Sequence, residues 1–475
     1  MIDVAFPVQL ARSVRHASRR VIAATALLTA TLLAGCGTLP TIVPDMARSS
    51  SSPQLSGAHG PLSVARSKEI LSQLKGGNPE DNLLDRHLAL EQAISSSPLS
   101  VGNKVTLLEN GPRTYAAMLA AIAAARDHIN METYILEDDE AGEQFASALI
   151  ARQRAGVTVN LIRDSVGTIG TKAEFFQRLG DAGIKIVEFN PVSPLNAKAG
   201  WDVNQRDHRK LLVVDGRVAF LGGINISSVY SGGSFSRRGN KDAKSDRPWR
   251  DTDLMIEGPV VAEFQKLFIE TWTKQKGDAL APREYFPQLR SVGPDIVHAI
   301  GSTPDDPYSL MYATLVSAID NAEKEVLLTN AYFVPDPQLL ASLTSAVKRG
   351  VDVRLVLPGS TDSALVFNAG RSYYDELLSG GVKIYERRHA LLHAKTALID
   401  GVWSTVGSTN LDWRSFLHNQ EVNAVVLGPA FGTQMRASFN DDVANSDEIT
   451  LEAWRKRTLD WRLKEGFARL WQYWL

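Results

Sequence analysis

Apolar positions along the chain fall into two successions of the same kind. Residues 114–128 (TYAAMLAAIAAARDH) carry apolar side chains at helical spacing and lead into INMETYIL, an apolar run of strand length. Residues 310–324 (LMYATLVSAIDNAEK) do the same before EVLLTNAYFV. A helix and a strand follow in each case: FASALIARQRAG then VTVNLIRD, and LLASLTSAVKRG then VDVRLVLP. Each succession continues with a helix that stops at glycine before another strand, FFQRLGDAG before IKIVEF and YYDELLSGG before VKIYER. Glycine supplies the left-handed residue that ends a helix. Strands alternating with helices predict mainly parallel sheets covered on both faces, and the repetition predicts two α/β halves of about 200 residues each.

The repetition is sharpest in the strands that come next. In the first half His208, Lys210 and Asp215 precede Gly222-Gly223-Ile224-Asn225; in the second His393, Lys395 and Asp400 precede Gly407-Ser408-Thr409-Asn410. His-to-Asp and Lys-to-Asn spacings are the same in both. A strand has period two, so His and Lys share one face. Asp215 and Asp400 have the opposite parity, and each is followed by glycine (Gly216, Gly401). Their expected part in the candidate catalytic set is support from a turn.

An imidazole and an ammonium on one face suit attack on a phosphodiester. Neutral histidine can be a nucleophile or, protonated, can give its proton to a leaving alcohol. Lysine offsets charge on phosphoryl oxygens, and asparagine adds a neutral donor. Two copies would supply a nucleophile from one side and an acid from the other, with no cofactor or metal. A single histidine on a strand is ordinarily a satisfied, partly buried side chain. Two of only nine histidines heading the same extended pattern weaken that reading. No His-rich helix spacing or carboxylate cluster favours metal ligation.

On these residues the chain resembles the phospholipase D superfamily, whose mark is a paired His-x-Lys-x4-Asp motif, and within it the bacterial cardiolipin synthases. The resemblance spans approximately residues 100–475. Further stretches that carry it are Tyr134 to Gly142, Arg250-Asp251-Thr252-Asp253 and Asn419 to Asn423. It implies two pseudo-symmetric α/β/α sandwich domains packed face to face around one cleft, residues 63–295 with the first motif and 296–475 with the second. It also implies a phosphohistidine intermediate, with Asp251 and Glu421 as the acids that hold the second nitrogen of the histidines. Spacing leaves open which histidine is phosphorylated.

Composition narrows the picture. Hydrophobic residues are 44% and charged residues 22%, which excludes a disordered or collagen-like chain. Net charge is −2, which argues against nucleic acid as the partner. The single cysteine precludes an intrachain disulfide and ends the tetrapeptide Leu33-Ala34-Gly35-Cys36. Before it stand Arg12, Arg15, Arg19 and Arg20 and a short apolar run, Val21 to Ala34. This resembles a bacterial lipoprotein signal at residues 1–35 with Cys36 as the acylated residue, the alternative being an uncleaved hydrophobic anchor with an incidental cysteine. Residues 36–62, rich in Ser, Pro and Gly, read as a flexible tether. The expectation is an extracytoplasmic, lipid-anchored envelope protein, on the periplasmic face of the outer membrane in a Gram-negative cell.

Two segments remain. Residues 227–250 carry Arg237, Arg238, Lys241, Lys244, Arg247 and Arg250, which could meet anionic headgroups or form an ordinary solvated loop. The last residues, LDWRLKEGFARLWQYWL, suit either an interfacial helix or one docked on the core. The functional expectation is a phosphatidyltransferase on membrane phospholipids, with phosphatidylglycerol as donor and cardiolipin as product. Hydrolysis to phosphatidic acid, an extracytoplasmic nuclease and a non-enzymatic lipid-binding scaffold are the alternatives. Headgroup preference and oligomeric state are not legible.

Overall fold

The computed structural model describes residues 53–74, 83–95, 97–193, 201–231 and 248–475. Cys36, the residues read as a signal, and Arg237, Arg238, Lys241, Lys244 and Arg247 lie outside the described residues. The described residues belong to one compact unit.

Seven strands build the first half: β1 (Leu99–Glu109), β2 (His128–Thr133), β3 (Thr158–Asp164), β4 (Lys185–Phe189), β5 (Lys210–Val214), β6 (Val218–Gly222) and β7 (Thr252–Glu257). Seven more repeat them: β8 (Asp295–Ser302), β9 (Glu325–Asn330), β10 (Asp352–Pro358), β11 (Lys383–Arg387), β12 (Lys395–Ile399), β13 (Trp403–Gly407) and β14 (Asn419–Leu427). Hydrogen bonding orders the first set β1-β7-β6-β5-β2-β3-β4. The second set runs β8-β14-β13-β12-β9-β10-β11, the same order. Antiparallel pairing of β1 with β8 joins the two sheets.

The sheets are mixed, which corrects the expectation of mainly parallel pairing. Among these fourteen strands, parallel pairing is confined to β2-β3-β4 and β9-β10-β11. The motif strands are the reason. Asp215 and Asp400 sit at φ 53° and 51°, and Gly216 and Gly401 at 61° and 73°. Such an Asp-Gly pair makes a tight turn, with three residues between paired Val214 and Val218 and between paired Ile399 and Trp403, and so short a connection can only join antiparallel strands.

Helices α1 (Asn110–Ala124), α2 (Glu140–Arg154) and α3 (Ala173–Asp181) cover the outer face of the first sheet, and their buried side chains share a core with its strands. On the inner face, α4 (Val261–Lys274) buries Phe264, Phe268 and Trp272 in a core that also holds Leu398, Val406 and Val422 of the second half. That continuous apolar layer sets the halves face to face. In the second half, α5 (Leu310–Asp320), α6 (Pro337–Lys348), α7 (Ala364–Arg371) and α8 (Tyr374–Ser379) follow the pattern of the first, and α9 (Pro429–Ala444) mirrors α4.

Part of the stretch expected as a tether is paired into the sheet. Leu55–Gly57 pairs in parallel with β1 and turns back on Gly60–Pro61. The helix over Leu88–Ile94 is pinned against the second half: Glu91 lies within hydrogen-bond distance of His298 on β8 and 2.9 Å from His87, whose other ring nitrogen is 3.2 Å from Ser317 of α5. Burial by itself would favour a neutral Glu91, but the two imidazoles hold its carboxyl well below the usual range.

Each motif aspartate closes its hairpin onto a neighbouring strand. Asp215 accepts backbone hydrogen bonds from Arg126, Asp127 and His128 at 2.8–3.0 Å, and Asp400 from Glu323, Lys324 and Glu325 at 2.7–2.9 Å. Asp400→Ala is expected to cost about 1–3 kcal/mol of stability through the lost acceptor. Denaturant titration would measure it, and the folded variant would keep its turnover.

Candidate active site

Both histidines precede a motif strand by two residues, and each is held by the opposite half. Arg206–Asp207 pairs in parallel with the start of β14, so the His208 N–H donates to the Gln420 carbonyl at 3.0 Å. Trp249–Arg250, ahead of β7, pairs with Leu391–Leu392, and the His393 N–H donates to the Arg250 carbonyl at 2.8 Å. The pairings bring a carboxylate from one half to the imidazole of the other. His208 Nδ1 lies 3.1 Å from both oxygens of Glu421, a residue 213 positions away. His393 Nδ1 lies 2.7 Å from Asp251 Oδ2. With Nδ1 occupied, Nε2 is the nitrogen each ring has left for a reacting group.

The two supports differ by a methylene, and the glycine-rich turns match that difference. A methyl on Gly223 would stand 2.2 Å from Asp251 Oδ1. At the corresponding place Ser408 is tolerated beside the longer Glu421, and its hydroxyl donates to that carboxylate. Asp253, equivalent in sequence to Asn423, is pushed well up by burial and so resembles the neutral amide.

Histidine and lysine of each motif stay together, since Lys210 Nζ donates to the His208 carbonyl and Lys395 Nζ to that of His393. Burial drives both lysines down, to about 7 for Lys210 and about 8 for Lys395; Glu421 opposes this in both cases. Burial likewise lowers His208 to about 4 against the opposing pull of Glu421, and lowers His393. In both imidazoles burial favours the neutral form.

A cleft of about 430 Å³ is lined by His208, Asn225, His393 and Asn410. Asn225 Oδ1 accepts from the Ile135 N–H, and its Nδ2 donates to Tyr230 Oη at 3.1 Å. Asn410 Oδ1 is buried without a protein partner. Asp215 and Asp400 stand at the hairpin turns and are not among the residues that line the cleft. The headgroup reading of Arg250 is corrected. It is buried with its guanidinium on both oxygens of Asp442 at 2.9 and 3.0 Å, and cannot meet a headgroup.

Sequence reasoning missed the aromatic walls. Tyr134 stands edge-on to His208 with ring centroids 5.1 Å apart, and Tyr332 to His393 at 6.1 Å. Each tyrosine follows the second strand of its half, a repeat visible in the sequence. His393 is further enclosed by Trp249, at 5.1 Å, and by Tyr230, whose Oη is 3.3 Å from Nδ1. Nothing in the repeat foretells this asymmetry. Arg206, Arg414, Asp362 and Asp412 also line the cleft, Asp412 pushed up to about 7 by burial.

The model of the cardiolipin synthase, phospholipase D-like domain matches residues 118–237 and again 315–443. The chain belongs to this family. A cardiolipin synthase of Alkalihalophilus pseudofirmus is 34% identical over 401 residues, 84% of this chain and 77% of the relative. Cardiolipin synthase 2 of Bacillus anthracis is 34% identical over 415 residues, 85% of this chain and 78% of the relative. The solved phosphatidylserine synthase of Haemophilus influenzae shares the fold at 13% identity, with a TM-score of 0.57 over 81% of this chain and 99% of that one. The protein is a phosphatidyltransferase of the phospholipase D superfamily.

Membership corrects the expected location. Bacterial cardiolipin synthases are typically inner-membrane proteins, which overturns an outer-membrane lipoprotein anchored through Cys36. No helix among the described residues is long and apolar enough to cross a membrane.

Proposed function

We propose that the protein makes cardiolipin from two molecules of phosphatidylglycerol, with residues 63–295 and 296–475 as two halves sharing one site. Nε2 of one histidine attacks the phosphorus of the first lipid, forming a P–N bond as the P–O bond to glycerol breaks. The other histidine gives its proton to the glycerol alkoxide. It then takes the proton from a headgroup hydroxyl of the second lipid, whose oxygen displaces the histidine. Two phosphatidylglycerols become cardiolipin and glycerol, and both imidazoles return to their starting state. Lys210, Lys395, Asn225 and Asn410 hold the phosphoryl oxygens as charge builds on them. Asp251 and Glu421 fix tautomer and orientation.

The observation that carries the reading is that two imidazoles line a single cleft, each held at Nδ1 by a carboxylate of the opposite half. An arriving phosphodiester anion favours protonation of one imidazole, supplying the acid that burial disfavours. The test is lipid mass spectrometry after incubation with phosphatidylglycerol vesicles. Cardiolipin with an equal amount of glycerol supports the reading; phosphatidic acid as the product would make the protein a hydrolase.

The lysines set the pH dependence. Each acts as a cation and loses its proton as pH rises through its pKa, about 7 for Lys210 and about 8 for Lys395. Accordingly kcat/KM should fall on the alkaline side near pH 7–8, about three units below an ordinary lysine. Bound phosphate stabilises the ammonium, so the same limb of kcat should lie at higher pH. A kcat/KM flat to pH 10 would refute this part for the lysines.

A further inference from the structure

Helix α10 (Leu459–Arg469) presents its apolar face to water. Leu459, Leu463, Phe467 and Leu470 follow at helical spacing, so they form one stripe, and they are 61–78% exposed. The buried side of the helix includes Glu465 and Ala468. There Glu465 accepts from Arg457 at 2.8 and 3.0 Å, with Arg371 of α7 4.0 Å away. This reverses the usual surface helix, in which the apolar stripe faces the core. A contiguous exposed apolar surface of this kind marks an interaction site.

Charge and position identify the partner. Residues 456–475 hold five basic side chains against two acidic ones. Arg462 and Lys464 are exposed and project to either side of the stripe. The chain continues from the helix into Trp471 and Trp474, both partly exposed, and Trp474 and Leu475 line the cleft that holds His208 and His393. Val366 of α7, the helix packed against α10, also lines the cleft, next to exposed Leu365. An apolar stripe between cations, leading through tryptophans to the reacting groups, has the make-up of a helix lying in a bilayer surface.

We propose that the Leu459-Leu463-Phe467-Leu470 face of α10 seats the enzyme on an anionic phospholipid bilayer, with the cleft at headgroup level. This rests on the reading that the substrate is a phospholipid. The stripe would enter the acyl boundary, the tryptophans would lie among the headgroups, and a lipid would reach the histidines by a short upward movement of its headgroup.

The test uses the full chain with Cys36→Ser, so that one introduced thiol is labelled. A nitroxide at Phe467→Cys should gain accessibility to oxygen and lose it to an aqueous nickel complex on vesicles of phosphatidylglycerol and phosphatidylcholine in equal parts. A label at Lys456→Cys should stay aqueous. Separately, Leu463→Ser/Phe467→Ser/Leu470→Ser should lose about tenfold or more of kcat/KM on vesicles. On short-chain phosphatidylglycerol below its micelle concentration it should stay within about twofold of the unaltered chain, as surface substitutions do. A label at position 467 that remains in water on these vesicles overturns the proposal. So does an equal loss on dissolved lipid, or a stripe already covered in a dimer by light scattering without vesicles. An unaltered chain inert on both lipids would defeat the functional reading, and the label depth would still decide the face.

Discussion

His208→Ala and His393→Ala should each lower cardiolipin formation by about ten-thousand-fold or more, because covalent transfer needs both a nucleophile and an acid and neither copy can do both at once. The variants should then part company. Removing the nucleophile leaves no covalent species. Removing its partner slows the first step, which loses the acid for the departing glycerol, and also strips the second step of its base, so the phosphatidyl-histidine that forms persists. Intact-protein mass spectrometry after a neutral quench, chosen because the P–N bond is acid-labile, would show the adduct in one variant and not the other. That result also assigns the two roles, which the repeat leaves symmetric. Absence of adduct in both variants, under conditions where the unaltered chain turns over, would count against attack by histidine.

The second large effect is expected at the carboxylates. Asp251→Asn and Glu421→Gln should each cost about a hundred- to ten-thousand-fold in kcat, since an amide can pair with the wrong imidazole tautomer. The crossing makes the assignment specific: Glu421→Gln acts on His208, and Asp251→Asn on His393. Glu421 raises the His208 pKa against the effect of burial. Its removal should move the acid limb that reports His208 to still lower pH, by the sign of the lost attraction. Histidine NMR titration of the folded variant would measure this. An unchanged His208 titration together with full turnover would dissolve the pairing as a functional one. A merely structural defect would lower the folded fraction and leave the titration of the remainder where it was.

Much of this protein is local, and local features are readable in a sequence. The Asp215-Gly216 and Asp400-Gly401 hairpins follow from residues that adopt positive φ at low cost. The glycine stops at Gly183 and Gly381 likewise appear at φ 92° and 85°. Period two puts His and Lys on one face, and equal spacing in two halves identifies the motif residues without any coordinates. Order within each sheet was less legible. Helices between strands argue for parallel pairing, yet the motif strands joined by tight turns had to be antiparallel.

What the tertiary structure alone decided is which groups separated by long stretches of chain would meet. The parallel pairing of residues 206–207 with 419–420, and of 249–250 with 391–392, crosses the carboxylates between the halves. No local pattern encodes a register between segments more than a hundred residues apart, because it depends on the shared apolar core that sets the halves face to face. The same packing buries Arg250 on Asp442 and encloses His393 with Trp249 and Tyr230, while His208 keeps one aromatic neighbour. It also turns the apolar stripe of α10 outward, where the sequence suited both docking on the core and lying in an interface, with a slight lean to the interface. The sequence by itself determined the candidate reacting groups and their spacing. Tertiary packing decided their partners, protonation and approach, since burial and opposing charge exist only once both halves are in place.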